Sequence, residues 1–294
     1  MRTLVAILLL ALQQVPVFRT GVDLVQLGVT VTDRKGALVA DLPKDDFEIY
    51  EDGKKQTIQL FAPGRADSSA PALHLGLMLD VSGSMGDDMT FTKTAAVKFV
   101  NTLIDAEDIT VVDFDTEVRA ARYSQREFAR VIERIRQKTA GGETALYDAI
   151  GLYLDGASQQ DGRKIMLLYT DGGDNKSSTP RSELFDLLKA SDATIYVIGE
   201  LAHQSSSGTM TQRATLQQIA ELTGGVAFFP SAVKELDAMY DKVVAEIRAQ
   251  YTIGYVSSNA KTDGTWRKVE IRLKGDRGNG NKVRSRKGYF APKR

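Results

Sequence analysis

Short apolar runs alternate with amphipathic stretches through the middle of the chain, from Leu73 to about residue 250. The run at 164–170 is almost wholly apolar, as in a strand that is buried on both faces. The stretches between the runs repeat apolar residues every three or four positions, which is typical of helices that cover a sheet. Strands are predicted at residues 73–80, 109–114, 118–123, 164–170, 194–198 and 226–229. We therefore expect an α/β fold with a doubly wound, mostly parallel six-stranded sheet, in which 118–123 is a short edge strand.

Shorter strand patterns flank this segment on both sides. Residues 25–32 alternate apolar and polar side chains, a hairpin turn follows at Asp52 and Gly53, and residues 269–273 alternate again. Each flanking region is too small to be stable alone. We therefore expect them to pair into one small antiparallel β-sandwich-like module into which the α/β domain is inserted. The predicted divisions are N-terminal strands in 20–65, the α/β domain in 72–250 and C-terminal strands in 251–294.

The first residues of the chain have the pattern of a leader. Arg2 precedes an unbroken apolar run at 4–12, which stops at Gln13 and Gln14. Nine residues of helix rise only about 14 Å, roughly half of the hydrocarbon thickness of a bilayer. The pattern favours a secretory signal peptide in residues 1–15 over a membrane span, with a buried N-terminal helix or strand as the alternative. The mature chain would then be secreted or periplasmic, without a transmembrane helix.

Composition excludes several kinds of function. The chain has no cysteine, so zinc sites built on thiolates, disulfide scaffolds and thiol nucleophiles are excluded. Lys and Arg together number 38, as do Asp and Glu, so the surface as a whole is no electrostatic match for nucleic acid. From Arg267 onward, eleven Lys or Arg stand against Glu270 and Asp276, but they alternate with apolar residues as on a solvated strand face. We therefore expect no nucleic acid partner.

Oxygen-bearing side chains follow the predicted strands at three points. Asp80, Ser82 and Ser84 come at the end of the first strand of the α/β segment. Thr144 follows a pair of glycines just before a helix, and Asp171 comes directly after the central apolar strand. Open α/β sheets bind ligands at the edge where the carboxyl ends of their strands meet. We therefore expect these five side chains to lie together.

The chemistry of this group favours a divalent metal ion. Two carboxylates in one crevice repel each other unless a cation lies between them. The expected donors are all carboxylate or hydroxyl oxygens, which select a hard ion. Small hydroxyl donors in a fixed array suit Mg²⁺ or Mn²⁺ better than the larger Ca²⁺, which stays open as an alternative.

Three motifs carry a family resemblance. In chain order they are Asp80-x-Ser82-x-Ser84, Gly141-Gly142-x-Thr144 and Thr170-Asp171-Gly172. Together they resemble the von Willebrand factor A domain with a complete metal-ion-dependent adhesion site, over roughly residues 72–250. The resemblance implies that the two serines and Thr144 ligate the metal, while Asp80 and Asp171 bind it directly or through water. The flanking segments at 18–23, 45–53 and 286–292 are similar to those of secreted bacterial von Willebrand factor A-related proteins common in acidobacteria.

The resemblance implies a binding protein and not an enzyme. Its Mg²⁺ would accept a Glu or Asp carboxylate from a protein partner. Loops at 85–88, 172–178 and 203–209 would form the rim and set specificity. The alternative is a structural scaffold for envelope assembly in which the metal mainly stabilises the folded domain.

Two enzymatic alternatives have weaker support in the sequence. Asp113 and Asp115 follow an apolar strand, as in haloacid dehalogenase-type phosphatases, but Glu117 stands where that family has a Thr or Val. A serine hydrolase needs a histidine beside its nucleophile, and the only histidines are His74 in a strand and His203 in a polar loop. We therefore expect no catalytic residues.

Overall fold

The computed structural model describes residues 24–63, 70–86, 89–102, 105–201, 206–231 and 235–293. The predicted signal peptide lies outside these residues, as do two parts of the predicted rim, 87–88 and 203–205. No helix in the described ranges is both long enough and apolar enough to cross a membrane.

Within these residues, helices and strands alternate through the middle of the chain, with further strands on either side. The strands are β1 (Leu24–Thr32), β2 (Phe47–Glu51), β3 (Lys54–Gln56), β4 (Ile58–Ala62), β5 (Leu73–Asp80), β6 (Asp108–Phe114), β7 (Val118–Ser124), β8 (Arg163–Thr170), β9 (Thr194–Gly199), β10 (Ala227–Phe228), β11 (Tyr251–Val256), β12 (Trp266–Leu273), β13 (Lys282–Arg284) and β14 (Gly288–Phe290). The helices are α1 (Met89–Thr102), α2 (Phe128–Arg136), α3 (Leu146–Ser158), α4 (Arg181–Ala190), α5 (Ser206–Leu222) and α6 (Leu236–Ala249).

A six-stranded sheet forms the centre of the α/β segment, in the order β10-β9-β8-β5-β6-β7. Neighbouring strands are parallel except for β7, which pairs antiparallel with β6 at one edge. The predicted doubly wound, mostly parallel sheet is therefore confirmed, including its edge strand.

Apolar side chains cover both faces of this sheet. On β5, Leu75 and Leu77 belong to a cluster with residues of α1, α2 and α6. Met78 belongs to the opposite cluster, with residues of α3, α4 and α5. All three side chains are buried, because successive residues of a strand point to opposite faces and helices cover each face. This burial explains the apolar run at residues 75–79 of β5 in the sequence.

Two antiparallel four-stranded sheets combine strands from both sides of the α/β segment. The first has the order β13-β1-β11-β4, and the second has the order β14-β12-β2-β3. β1 pairs with β11, and β2 pairs with β12, so each sheet joins strands that lie far apart in the chain. One apolar cluster contains residues of both sheets, among them Leu27, Ile49, Tyr251 and Val269. The flanking strands therefore pair as expected, while the residue limits of the domains stay a prediction.

The pattern of residues 283–290 predicts one returning strand, but the structure has two short strands there. β13 pairs with β1 in the first sheet, whereas β14 pairs with β12 in the second. Between them, Arg286 is buried and donates hydrogen bonds to the carbonyl oxygens of Ser191 at 3.1 Å and Gln26 at 2.9 Å. These hydrogen bonds supply acceptors to a buried guanidinium and connect the antiparallel sheets to the residue that follows α4.

A close approach between β9 and the turn before β10 gives a stability prediction. A Cβ atom on Gly225 would lie 1.9 Å from the carbonyl oxygen of Ile195, which is held in the sheet. We expect Gly225→Ala to lower the free energy of unfolding by about 1–3 kcal/mol in urea denaturation. At Gly156 in α3, a Cβ atom would meet no heavy atom within 4 Å. Gly156→Ala should therefore raise the free energy of unfolding by about 0.5–1 kcal/mol, and equal midpoints for the two variants would contradict the close approach.

Candidate metal site

Two loops meet at the carboxyl ends of the central strands. The loop after β5 carries Ser82 and Ser84, and the loop before α3 carries Thr144. The amide of Gly83 donates a hydrogen bond to the carbonyl oxygen of Gly142 at 3.0 Å, which joins the loops. Gly142 has a φ of 78°, a left-handed conformation that glycine adopts without strain. The glycines therefore let the hydroxyl-bearing loops lie side by side.

Asp80 is a fully buried carboxylate at the end of β5. Its Oδ1 accepts a hydrogen bond from the Ser82 amide at 2.9 Å, and its Oδ2 accepts one from the Thr170 hydroxyl at 2.6 Å. Burial is the main cause that raises the pKa of Asp80 to about 6, and the charge of Asp171 acts in the same direction, against the effect of the hydrogen bonds. A cation beside the carboxylate would offset this unfavourable environment.

The three hydroxyls of the predicted set are held by their loops. Ser82 Oγ and Ser84 Oγ lie 3.1 Å apart, with Ser82 buried and Ser84 exposed. Thr144 is buried, and its amide donates to Asn175 Oδ1 at 2.8 Å. The carbonyl of Thr144 accepts hydrogen bonds from the amides of Asn175 and Lys176, each at 3.0 Å. The loop after β8 therefore fixes the position of Thr144.

The second carboxylate, Asp171, follows directly after β8 and is buried. Its Oδ1 accepts a hydrogen bond from the Gly173 amide at 2.8 Å. The preceding Thr170 accepts one from the Gly172 amide at 3.0 Å while it donates to Asp80. Thr170 therefore links the ends of β5 and β8, a role that the sequence analysis missed. The sequence signal for it was its place in the motif Thr170-Asp171-Gly172, as the last residue of the predicted strand.

These donors fit a hard divalent cation by their chemistry. Within the described ranges, no group of three or more His, Asp or Glu side chains could hold a metal ion. A metal at this edge of the sheet therefore needs the hydroxyl oxygens in addition to the two carboxylates. Mg²⁺ accepts such a mixed oxygen set and keeps part of its water shell.

The aspartate that suggested a phosphatase is bound by cations. Asp113 is fully buried, and its Oδ2 accepts hydrogen bonds from Lys138 Nζ at 2.7 Å and Arg119 Nε at 2.9 Å. Its Oδ1 accepts one from Arg134 Nε at 2.8 Å. Asp115 is paired with the same Arg119, at 2.7 Å. Carboxylates held in this way are poor nucleophiles, so the geometry does not support the phosphatase alternative.

His74 lies at the other end of β5 from Asp80. Its Nε2 is 2.8 Å from the carbonyl oxygen of Asp161, and its Nδ1 is 3.1 Å from Asp108 Oδ1. Six residues of strand separate His74 from Asp80 by about 20 Å. His203 lies outside the described residues. Among the residues that the structure describes, Ser84 therefore has no histidine beside it.

Comparisons with known proteins agree with this fold. The family model of the von Willebrand factor type A domain matches residues 74–242. No curated protein sequence matches the chain. Among solved structures, a von Willebrand factor type A protein from Catenulispora acidiphila is 14% identical with a TM-score of 0.52, covering 91% of this chain and 73% of that chain.

Two pilus proteins share the fold at similarly low identity. The pilus adhesin SpaC from Lactobacillus rhamnosus GG is 11% identical with a TM-score of 0.51, covering 84% of this chain and 48% of that chain. The PilB minor pilin from Streptococcus sanguinis is 12% identical with a TM-score of 0.50, covering 63% of each chain. This chain therefore spans less than two thirds of the length of either pilus protein.

The family match includes the strand ends that carry Asp80, Thr144 and Asp171. Domains of this family are metal-dependent protein-interaction modules and generally not enzymes. Because the family model matches more than half of the chain, and the sheet order and helix layers agree with it, the chain belongs to the von Willebrand factor type A domain family.

Proposed function

We propose that this protein is an exported, adhesion-type binding module whose metal ion accepts an acidic side chain of a partner protein. Its Mg²⁺ would be held by Asp80, Ser82, Ser84, Thr144 and Asp171. The observation that carries the proposal is the fully buried Asp80 carboxylate, placed near a second carboxylate and among hydroxyl side chains. Two carboxylates in a crevice repel each other, and a divalent cation bound between them offsets this repulsion.

The residues around the proposed ligands position them. Thr170 orients the carboxylate of Asp80 by its 2.6 Å hydrogen bond, and Asn175 holds the amide of Thr144 at 2.8 Å. Ser84 is the exposed member of the set, so the site opens to solvent on the side of the loop after β5. When bound, Mg²⁺ would supply Lewis acidity and a coordination position for a carboxylate. An acidic side chain from a partner could therefore approach past Ser84.

Export is supported by the leader pattern and by the occurrence of this fold in pilus proteins. The apolar run at 4–12 has the length of a signal peptide core and lies outside the described residues. Two solved structures with this fold are a pilus adhesin and a minor pilin. A chain without cysteine can fold in an oxidising compartment without disulfides.

Thermal unfolding in EDTA, Mg²⁺, Mn²⁺ and Ca²⁺ tests the metal site. We expect Mg²⁺ to raise the Tm of the wild type, because a ligand at a hundred times its Kd stabilises the folded state by about 2.7 kcal/mol. Ser84→Ala removes one proposed ligand at an exposed position and should reduce this rise. Ser178→Ala removes an exposed hydroxyl from the loop after β8 and should leave the rise unchanged. A wild type that responds to none of the three ions would refute the site.

A small dicarboxylate tests the acceptor role separately. Glutarate should raise the Tm further in Mg²⁺ and have no effect in EDTA, because the acid binds through the metal. Glutaramide, its uncharged analogue, should have no effect in either buffer. A clear response to Mg²⁺ without any response to glutarate would favour the scaffold alternative, in which the metal only stabilises the domain.

A further inference from the structure

A groove of 830 Å³ lies between the α/β domain and the antiparallel sheets. Leu187 of α4 lines it on one side, and Leu24 of β1 and Phe290 of β14 line it on the other. Trp266 extends the second wall, because its ring stacks edge to face on Phe290 with centroids 5.1 Å apart. The volume is in the range of sites that bind a ligand or a short chain segment.

The walls of this groove hold an unusual share of exposed apolar surface. Leu24 is 43% exposed, Leu187 is 37% exposed and Phe290 is 38% exposed. They are half of the six large apolar side chains that are exposed among the described residues. Single exposed apolar residues need no explanation, but a cluster in a concave surface between two modules indicates an interaction site.

The first strand, β1, begins at the wall of this groove. Leu24 begins β1 and pairs with Val256 at the end of β11, and Ser257 and residues 259–262 also line the groove. Residues 18–23, with the sequence Phe-Arg-Thr-Gly-Val-Asp, therefore directly precede Leu24, which lines the groove. At about 3.3 Å per residue, six extended residues span about 20 Å.

The alternation of side chains along β1 indicates which preceding residues would face the groove if the strand continued towards the N-terminus. Leu24 is exposed on the groove side, whereas Val25 is buried in the core of the antiparallel sheets. Side chains two residues apart share a face of a strand, so Val22 and Phe18 would share the face of Leu24. The two large apolar residues of the segment are therefore the ones that would face the apolar walls if β1 continued in this register.

We propose that residues 18–23 bind in this groove as an extended continuation of β1, with Phe18 and Val22 packed against Leu187 and Phe290. The occupant is this chain's own segment because it is tethered at Leu24, and a tether gives a high effective concentration at the groove. Its binding would cover the exposed apolar walls and join the α/β domain to the antiparallel sheets. This inference is independent of the metal site.

Limited trypsin digestion of the full-length chain tests the proposal, because the segment contains a cleavage site after Arg19. Leu187→Asp places a charge in the apolar wall and should accelerate cleavage after Arg19 by about tenfold, since cleavage tracks the population of the open state. Leu152→Asp is the matched control, because Leu152 is 46% exposed on the neighbouring α3 but does not line the groove. Cleavage after the exposed Arg277 serves as the internal reference.

A variant in residues 18–23 shows whether faster cleavage comes from release of the segment and not from damage to the domain by Leu187→Asp. Phe18→Ala leaves every described residue in place and should accelerate cleavage after Arg19 as Leu187→Asp does. Equal rates in the wild type, Phe18→Ala and Leu187→Asp would overturn the proposal. So would a concentration-dependent dimer in sedimentation that Leu187→Asp abolishes while cleavage after Arg19 stays unchanged, because the groove would then hold a second copy of the chain.

Discussion

Asp113→Ala is expected to lower the free energy of unfolding by about 3–5 kcal/mol. The carboxylate is fully buried, and Arg119, Arg134 and Lys138 donate hydrogen bonds to its two oxygens. The variant leaves these three cations close together without their shared counter-ion. The loss is large because Arg134 and Lys138 lose their ion-pair partner without becoming fully solvated, while Arg119 keeps its pairing with Asp115.

Urea denaturation at neutral pH measures this loss, and Glu117→Ala is the matched control. Glu117 pairs with the same Arg119 at 3.3 Å, but its side chain is 79% exposed. An exposed ion pair contributes about 0–1 kcal/mol, so the control should unfold close to the wild type. Equal losses in the two variants would show that the burial of Asp113 does not determine its contribution.

The pH dependence of stability provides a second readout for Asp113. Burial alone would raise the pKa of Asp113, but the hydrogen bonds from Lys138, Arg134 and Arg119 outweigh it, and the pKa is lowered. A lowered pKa in the folded state contributes stability above the unfolded pKa of about 4, and this contribution is lost as the pH falls through the folded pKa. Asp113→Ala should therefore lose less stability than the wild type between about pH 4 and pH 2.

Glu51→Ala should lower the free energy of unfolding by about 3–4 kcal/mol. This carboxylate at the end of β2 is 2% exposed and accepts three hydroxyl hydrogen bonds. Tyr255 and Tyr289 donate to its Oε2, each at 2.8 Å, and Ser257 donates to its Oε1 at 2.6 Å. These donors come from β11, β14 and the residue after β11, so Glu51 connects the two antiparallel sheets. The variant leaves the buried Tyr255 hydroxyl and the half-buried Tyr289 hydroxyl without this acceptor.

The neighbouring Glu48 gives a control on the same strand. It is partly exposed and bonds to Lys55 at 2.6 Å and to Tyr50 at 3.0 Å on the outer side. Glu48→Ala should lower the free energy of unfolding much less than Glu51→Ala does in thermal or urea unfolding, because its ion pair is screened by solvent. A loss as large as that of Glu51→Ala would contradict the role of the buried hydroxyls.

Tyrosine titration checks the same cluster at alkaline pH. Burial first, and then the hydrogen bond to Glu51, raise the pKa of Tyr289 to about 12. A raised pKa contributes stability that is fully present below the unfolded value of about 10 and is lost as the pH rises through the folded value. In Glu51→Ala, the ultraviolet absorbance of tyrosinate should therefore appear at lower pH than in the wild type.

The α/β segment was largely predictable because its signals are local. The strand predicted at 73–80 is β5, and the one predicted at 164–170 is β8 with one added residue. The candidate ligands were found for the same reason, since Asp80 and Asp171 sit where central strands end. The strand predicted at 226–229 is only the two residues of β10.

The sequence by itself determined the order and type of the main elements, the parallel sheet and the oxygen-only chemistry of the candidate site. Apolar periodicity and strand ends are properties of neighbouring residues, so they can be read without the fold. Only the tertiary structure decided that Thr170 bonds Asp80, that Glu51 binds hydroxyls more than 200 residues away, and that Asp113 is enclosed by three cations. The contacts of Asp80 and Glu51 join residues at least 90 positions apart. Those of Asp113 join β6 to β7 and to the region of α2, and no local pattern specifies which buried polar groups will meet.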